Sequence, residues 1–289
     1  MPALNRHALS MSLSVNNTDA ILSSVKIALS EDVGTGDVSA NLLDNKIINA
    51  QIIARESAII CGIDYAQTTF LALDDQIQID WKIEEGSRVD KNQVLCHLSG
   101  TSNAIVSAER VALNFLQTLS AVATQTRFLV DKIAHTNAQL LDTRKTIPGL
   151  RIAQKQAVKC GGGVNHRMGL YDCVMLKENH IIAAGGINKA VVNAKEQYPN
   201  LDLIVEVETL DQLSEVLALE GITRALCDNF SLKELLQAVA MSAGSLPLEA
   251  SGNINAETIV SVAETGVDFI STGSITKNIQ AIDLSLRFS

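Results

Sequence analysis

The 289-residue chain has no apolar run long enough to span a membrane, and residues 1–18 lack the apolar core of a secretory signal. It has no CxxC pair. Its five cysteines (Cys61, Cys96, Cys160, Cys173 and Cys227) are scattered and odd in number, which argues against a disulfide framework or a structural zinc site. A soluble protein of a reducing compartment, the cytoplasm, is expected, with no membrane partner. A broad basic face is missing too: the net charge of −9 excludes general nucleic-acid binding. No GxGxxG follows the first strand of the alternating βα region described below, which speaks against a dinucleotide-binding fold. The length leaves room for two domains, or for a barrel plus a smaller module.

What the chain does have is a basic island. Residues 142–180 carry seven Lys or Arg against three acids, a formal +4 that leaves −13 for the remainder. Arg151, Lys155 and Lys159, spaced by four, read as a solvated helix face. Arg144, Lys145, His166, Arg167 and Lys177 lie outside that helix, beside Thr146 and the run Gly161-Gly162-Gly163. Cations at element ends, next to backbone that glycine makes approachable, suit a polyanionic small molecule.

In chain order, residues 19–29 have helical periodicity, and the segment EDVGTGDVS (31–39) reads as a turn rather than a calcium loop. Alternation at Ile48–Ala54 and Ile77–Ile83 predicts strands, with a helix over Tyr65–Leu73 between them. Residues 84–100 have the rhythm of a biotinyl-carrier half-barrel without the modified lysine tip, so they read as scaffold. A long helix is expected from Ser107 to about Ala134. Arg110 would then sit in its first turn, where the helix dipole disfavours a cation; Glu109 or an external anion would account for it.

After residue 138, apolar runs alternate with helical patterns: 139–141, 174–176, 203–207, 225–227, 248–250 and 269–271. This predicts parallel strands in an α/β barrel, complete or incomplete, rather than an open sheet. The downstream ends of these runs turn polar, where barrels build their sites. They carry Arg144-Lys145, Lys177, Glu206 with Glu208, Asp228-Asn229, Ser251-Gly252-Asn253 and Thr272-Gly273-Ser274. The last two loops suit backbone N–H groups closing on a phosphate. Glu206 and Asp228 are the donor type for Mg²⁺, or else ion-pair partners of Lys177 and Lys145.

At SAERVALNFLQTLSAVAT (107–124), LDTRKTIPGLR (141–151), GGGVNHRMGLYD (161–172), LKENHI (176–181), VEVE (205–208), EASGNI (249–254) and TGVDFISTGSITK (265–277), the chain resembles the quinolinate phosphoribosyltransferase family. Ala121, Gln156 and Ser274-Ile275 depart from the family pattern, but none removes a charged site residue. The resemblance implies an N-terminal α/β sandwich over residues 1–113, joined by the tail at about 281–289, and an incomplete α/β barrel over 114–280. It implies that quinolinate and phosphoribosyl pyrophosphate give nicotinate mononucleotide, CO₂ and pyrophosphate with Mg²⁺, a step of NAD biosynthesis. It further implies a homodimer, or a higher assembly of it, with active sites shared across the interface. Arg110, Arg144, His166, Arg167 and Lys177 are expected to hold quinolinate, with Arg110 reaching the partner's site. Lys145, Glu206 and Asp228 are expected to be catalytic, the two acids also holding Mg²⁺ partly through substrate. Ser251, Gly252, Asn253, Thr272, Gly273 and Ser274 are expected to hold phosphate. The alternative is an anion-binding relative of the same fold, of the kind associated with molybdenum transport; a Schiff-base aldolase using Lys145 or Lys177 is a further rival.

Overall fold

The computed structural model describes residues 17–288, so the expectation of a loose start falls almost wholly outside the described residues. The first part of the chain comprises α1 (Asn17–Asp32), β1 (Ile47–Ala54), β2 (Ala58–Ile59), α2 (Ile63–Leu73), β3 (Gln78–Trp81), β4 (Arg88–Val89) and β5 (Val94–Thr101). A 32-residue helix, α3 (Ser102–Ile133), follows. The second part is β6 (Gln139–Leu141), α4 (Arg151–Cys160), β7 (Val174–Leu176), α5 (Glu178–Ala184), α6 (Ile187–Gln197), β8 (Leu203–Val207) and α7 (Leu210–Leu217). It ends with β9 (Arg224–Asp228), α8 (Leu232–Ser242), β10 (Leu248–Ser251), α9 (Ile259–Ala263), β11 (Phe269–Ser271), α10 (Ser274–Lys277) and β12 (Leu284–Phe288).

The alternating half forms a six-stranded parallel sheet in the order β6-β11-β10-β9-β8-β7. Because β6 and β7 do not pair with each other, the barrel is incomplete. Along the free edge of β6 runs a short extended segment, with Val164 bridged in parallel to Leu141. The early strands form an antiparallel sheet in the order β12-β1-β5-β3, so the last strand of the chain pairs with the first. At Glu31–Ser39 the acids serve a turn: the Asp37 carboxylate accepts the N–H groups of Ser39 and Ala40 and the Ser107 hydroxyl.

α3 links the two cores. Ala108, Ala112, Leu113 and Leu116 pack into the cluster of the antiparallel sheet, with Ile52, Leu98 and Leu286. Val111, Phe115, Leu119, Val122 and Leu129 pack into the cluster of the barrel. The helix thus runs through the expected boundary at residue 113. It starts five residues before the Ser107 start read from periodicity. Arg110 therefore lies in the third turn, beyond reach of the terminal dipole, and the argument from a disfavoured first-turn cation fails.

Two further expectations change. Lys155 is not on a solvated face; it is 1% exposed and paired with buried Asp142. The Gly161–Gly163 run serves packing rather than anion approach. A Cβ at Gly161 would lie 2.5 Å from the Ala123 carbonyl oxygen, and one at Gly163 would lie 2.9 Å from Thr126 Cγ2, both on α3. Glycine lets the end of α4 close on the spine helix. Gly161→Ala should therefore destabilise the fold by about 1–3 kcal/mol, the usual range for overpacking. Urea unfolding would show it as a lower midpoint, and an unchanged midpoint would refute the close-packing role.

Candidate active site

The six strand ends face one way, as parallel βα connections require, and their loops form one contiguous arc. At the β6 end, the stem of Lys145 lies over the loop after β11: a Cβ on Gly273 would sit 2.8 Å from Lys145 Cδ and 3.3 Å from Thr143 Oγ1. Thr276 donates its hydroxyl to the Lys145 carbonyl at 2.9 Å. Thr272 Oγ1 donates to the Ile254 carbonyl and lies 2.9 Å from Ser274 Oγ, which joins the β11 loop to the β10 loop. Gly252 in turn presses on Asn229, whose N–H donates to the Ser251 carbonyl at 2.8 Å. Asn229, Ser251, Gly252 and Asn253 line a cavity between the β9 and β10 loops.

The acids complete the arc. Asp228 at the β9 end accepts from Asn229 Nδ2 at 2.7 Å and makes no ion pair among the described residues. Glu206 at the β8 end accepts from Lys177 Nζ, at the β7 end, at 2.6 Å. The ion-pair reading is thus realised for Glu206, while Asp228 and Lys145 do not pair. A half-buried Asp228 and a Glu206 shared with a half-exposed lysine are hard oxygen donors compatible with Mg²⁺ carried largely by substrate phosphates.

On the other side of Lys145 the positive charges crowd together. Arg144 is half-buried, and its Nε is buried without a hydrogen-bond partner. Burial, then the like charges of Arg167 and Arg151, pull its pKa below the usual guanidinium value, with Asp172 opposing. Arg151 is committed to structure, donating to Thr146 Oγ1 and to the Met168 and Arg144 carbonyls. Asp172 likewise accepts the N–H groups of Met168 and Gly169. The side chains of Arg144 and Arg167 have no such network: neither makes a hydrogen bond or an ion pair among the described residues.

The loop presenting Arg167 is held from below. Lys155 Nζ donates to Asp142 Oδ1 and to the His166 carbonyl, while Asp142 also accepts the His166 N–H at 2.9 Å and Asn165 Nδ2 at 2.6 Å. Burial pushes the Asp142 carboxyl up and the Lys155 ammonium down, and their mutual attraction opposes both. His166 is buried; its Nδ1 accepts the Arg167 N–H at 2.7 Å, which leaves Nε2 to carry the proton in the neutral ring. Nε2 lies 3.3 Å from Glu249 Oε2, close but out of hydrogen-bond line. Glu249, on β10, is fully buried and also 3.2 Å from Arg224 Nε, whose guanidinium stacks 4.6 Å over the Phe269 ring. Arg224, Glu249 and the Lys155–Asp142 pair were not singled out from the sequence as site residues. The one signal available was charge inside an apolar strand pattern, at Glu249 in LEA and Arg224 beside ALC.

Arg110 lies on α3, exposed, with no hydrogen bond or ion pair from its side chain among the described residues. The structure does not bring it to the arc by any such contact.

Fold and arc together define an α/β-barrel enzyme with a cationic pocket beside hydroxyl- and glycine-bearing loops. Two family models match the chain: Quinolinate phosphoribosyl transferase, N-terminal domain, over residues 37–120, and Quinolinate phosphoribosyl transferase, C-terminal domain, over residues 122–287. The chain belongs to the quinolinate phosphoribosyl transferase family. It is 40% identical to the chloroplastic nicotinate-nucleotide pyrophosphorylase [carboxylating] of Arabidopsis thaliana, over 91% of this chain and 81% of that one. The solved nicotinate-nucleotide pyrophosphorylase of Francisella tularensis superposes with a TM-score of 0.93 at 47% identity, covering 95% of this chain and 98% of that chain. That of Ehrlichia chaffeensis superposes at 0.88 with 34% identity, covering 92% and 98%.

The buried cluster carries its own prediction. Burial alone would raise the Glu249 carboxyl, but His166, Arg224 and Ser271 outweigh it and hold it below its ordinary value of 4.5. A depressed carboxyl contributes stability that is present above the unfolded value and lost as pH falls through the folded one. Glu249→Gln should destabilise by about 3–5 kcal/mol at neutral pH, because Arg224 is left buried and unpaired. The gap from wild type should shrink as pH falls below the ordinary value of 4.5, where the unfolded chain takes up its proton before the native carboxyl does. Chemical denaturation at a series of pH values tests this; a gap independent of pH would contradict it.

Proposed function

We propose that the protein transfers the phosphoribosyl group of phosphoribosyl pyrophosphate to quinolinate, with loss of CO₂, giving nicotinate mononucleotide and pyrophosphate for NAD biosynthesis. The observation that carries this reading is Arg144: a half-buried guanidinium whose Nε has no hydrogen-bond partner, with the like charge of Arg167 acting on it and Asp172 only opposing, in one arc with a phosphate-type loop. Quinolinate's two carboxylates supply the missing charge, and guanidinium forks match carboxylates bidentately. Lys177 joins them on giving up Glu206. His166, with its ring nitrogens turned to protein groups, enters through the loop that presents Arg167.

Lys145 lies between this pocket and the β11 loop, so one ammonium faces both the dicarboxylate and the phosphoribosyl group. Ser251, Gly252, Asn253, Thr272, Gly273 and Ser274 take the 5′-phosphate, and Glu206 with Asp228 takes the ribose. Asp228 and Glu206 are the residues that would hold Mg²⁺, which would supply positive charge toward the pyrophosphate. The pyridine nitrogen is a weak nucleophile, and the anomeric carbon takes on oxocarbenium character as its bond to pyrophosphate breaks and the bond to nitrogen forms. Holding the two in line, in a pocket already polarised for the charges that develop, is therefore the chain's main contribution. The ring nitrogen becomes cationic on bonding to ribose. Its charge then stabilises the electron pair left on the adjacent ring carbon as CO₂ departs; that carbon takes up a proton to give the product, and no covalent catalytic residue is required.

We further propose a cytoplasmic homodimer in which exposed Arg110 completes the partner's quinolinate pocket. No described helix is long and apolar enough to cross a membrane.

Three measurements test these readings. Incubation with quinolinate, phosphoribosyl pyrophosphate and Mg²⁺ should produce nicotinate mononucleotide by mass spectrometry; binding of the dicarboxylate without turnover would favour a non-catalytic anion-binding relative. Arg144→Lys or Arg167→Lys should weaken quinolinate binding by roughly 1.5–3 kcal/mol, the worth of a charged hydrogen bond. Unchanged affinity in titration calorimetry would remove either residue from the pocket. Finally, Arg110→Ala and Lys145→Ala homodimers should each be nearly inactive. Re-equilibrated together, about half the dimers are hybrids with one intact site, so activity should recover to roughly a quarter of wild type. No recovery, with subunit exchange verified by native mass spectrometry, would mean that Arg110 serves its own chain, and a fully active Arg110→Ala homodimer would mean that it serves no site.

A further inference from the structure

Far from the arc, three potential metal ligands meet where the antiparallel unit abuts the barrel. Cys61 lies in the turn between β2 and α2, Glu85 in the turn between β3 and β4, and Cys160 at the last residue of α4. One ligand atom from each lies within 4.8 Å of the others, the single such group of three among the described residues. The sulfurs are 3.6 Å apart, and Cys160 Sγ is 3.9 Å from Glu85 Oε1. A tetrahedral Zn²⁺ with Zn–S bonds of about 2.3 Å sets its sulfurs about 3.8 Å apart, and sulfur and oxygen about 3.5 Å apart. The thiols thus already stand at the spacing of one tetrahedral edge, and the carboxylate needs only a small closure.

The surroundings favour a cation. The groups acting on both thiols are each other and the Glu85 carboxylate, with burial, and the C-terminal carbonyl end of α4 adds partial negative charge. Glu85 is oriented from behind: Gly62 N–H donates to Oε1 at 2.7 Å and Ile63 N–H to Oε2 at 3.0 Å. Each oxygen keeps acceptor capacity, and such outer hydrogen bonds are what fix ligating carboxylates. Cys61 is buried, whereas Cys160 is half-buried and Glu85 exposed, so water can reach a fourth position. Because α4 begins at the strand ends that carry the arc, Cys160 lies at the opposite face of the barrel, where stability rather than chemistry is served.

We propose that Cys61, Cys160 and Glu85 bind a soft divalent ion of the zinc class, which pins the β2–α2 and β3–β4 turns to the end of α4. This revises the expectation of no structural zinc site. That expectation rested on close cysteine spacing, whereas these ligands are brought together only by the fold.

Co²⁺ titrated into the full-length, chelator-stripped and reduced protein should bind one equivalent with a thiolate-to-cobalt charge-transfer band. Cys160→Ser should abolish the band, and Glu85→Gln should weaken Co²⁺ binding by roughly 10–100-fold. Zn²⁺ should raise the melting temperature of the stripped wild type and leave that of Cys160→Ser unchanged; Cys160→Ala replaces it if serine disturbs folding. The proposal is overturned if the reduced wild type shows no band or if the band survives in both Cys160 variants. A Cys61–Cys160 disulfide forming in air without metal uptake by the reduced protein overturns it as well.

Discussion

The ion pair between Lys155 and Asp142 is the constraint on which the cationic pocket depends. Both side chains are excluded from water, a situation that stabilises only when the remaining donors and acceptors are also engaged. Here they are, and every extra bond runs to the same two residues, Asn165 and His166. Asp142 immediately follows β6, two residues before Arg144, and His166 immediately precedes Arg167. One buried pair therefore sets where both arginines leave the scaffold. Their separation becomes a property of the barrel wall and not of flexible side chains, which is the condition for a carboxylate clamp to be ready before substrate arrives.

The other organising element is α3. Its two faces belong to different cores, so the antiparallel unit and the barrel share one rigid rod of about 48 Å at 1.5 Å per residue. The chain closes this arrangement at its end, where β12 returns to β1. A force that shifts one core must move the spine helix or break that strand pairing. Gly161 and Gly163 tighten the same junction from the barrel side, and Cys61, Glu85 and Cys160 flank it.

Legibility followed periodicity. Four of the six parallel strands, including Val174–Leu176 and Leu203–Val207, begin and end where the apolar runs do, because a buried parallel strand is a short continuous apolar run bounded by polar loops. The polar turn at each strand's downstream end was legible for the same reason. Helix starts were less so. α3 begins at Ser102 while its first turns still face the antiparallel sheet, so its apolar pattern mixes two packing partners and the entry point is blurred. Buried charge was invisible: Lys155 shares a helical spacing with exposed Lys159, and nothing local says that one faces Asp142 while the other faces water. The glycine run shows the same limit, since its need for small residues comes from α3, more than thirty residues earlier in the chain.

Crowding Arg144 and Arg167 inside a half-buried pocket works against folding, because burial and like charge both disfavour the cationic form. Lys155–Asp142, Arg224–Glu249 and Lys177–Glu206 carry their own counter-charges, whereas Arg144 and Arg167 form no ion pair among the described residues. The protein tolerates this crowding because the cores around α3 supply stability elsewhere, a common relation between functional sites and scaffolds. On the proposed function, a dianion entering the pocket would offset the repulsion and offer Arg144 Nε an acceptor in the same step. Binding and stability would then be linked, each decade of dicarboxylate above its dissociation constant adding about 1.4 kcal/mol to the folded state. The acidic remainder of the chain sharpens the contrast, since anions are repelled broadly and attracted only at the one island where the barrel presents its arginines.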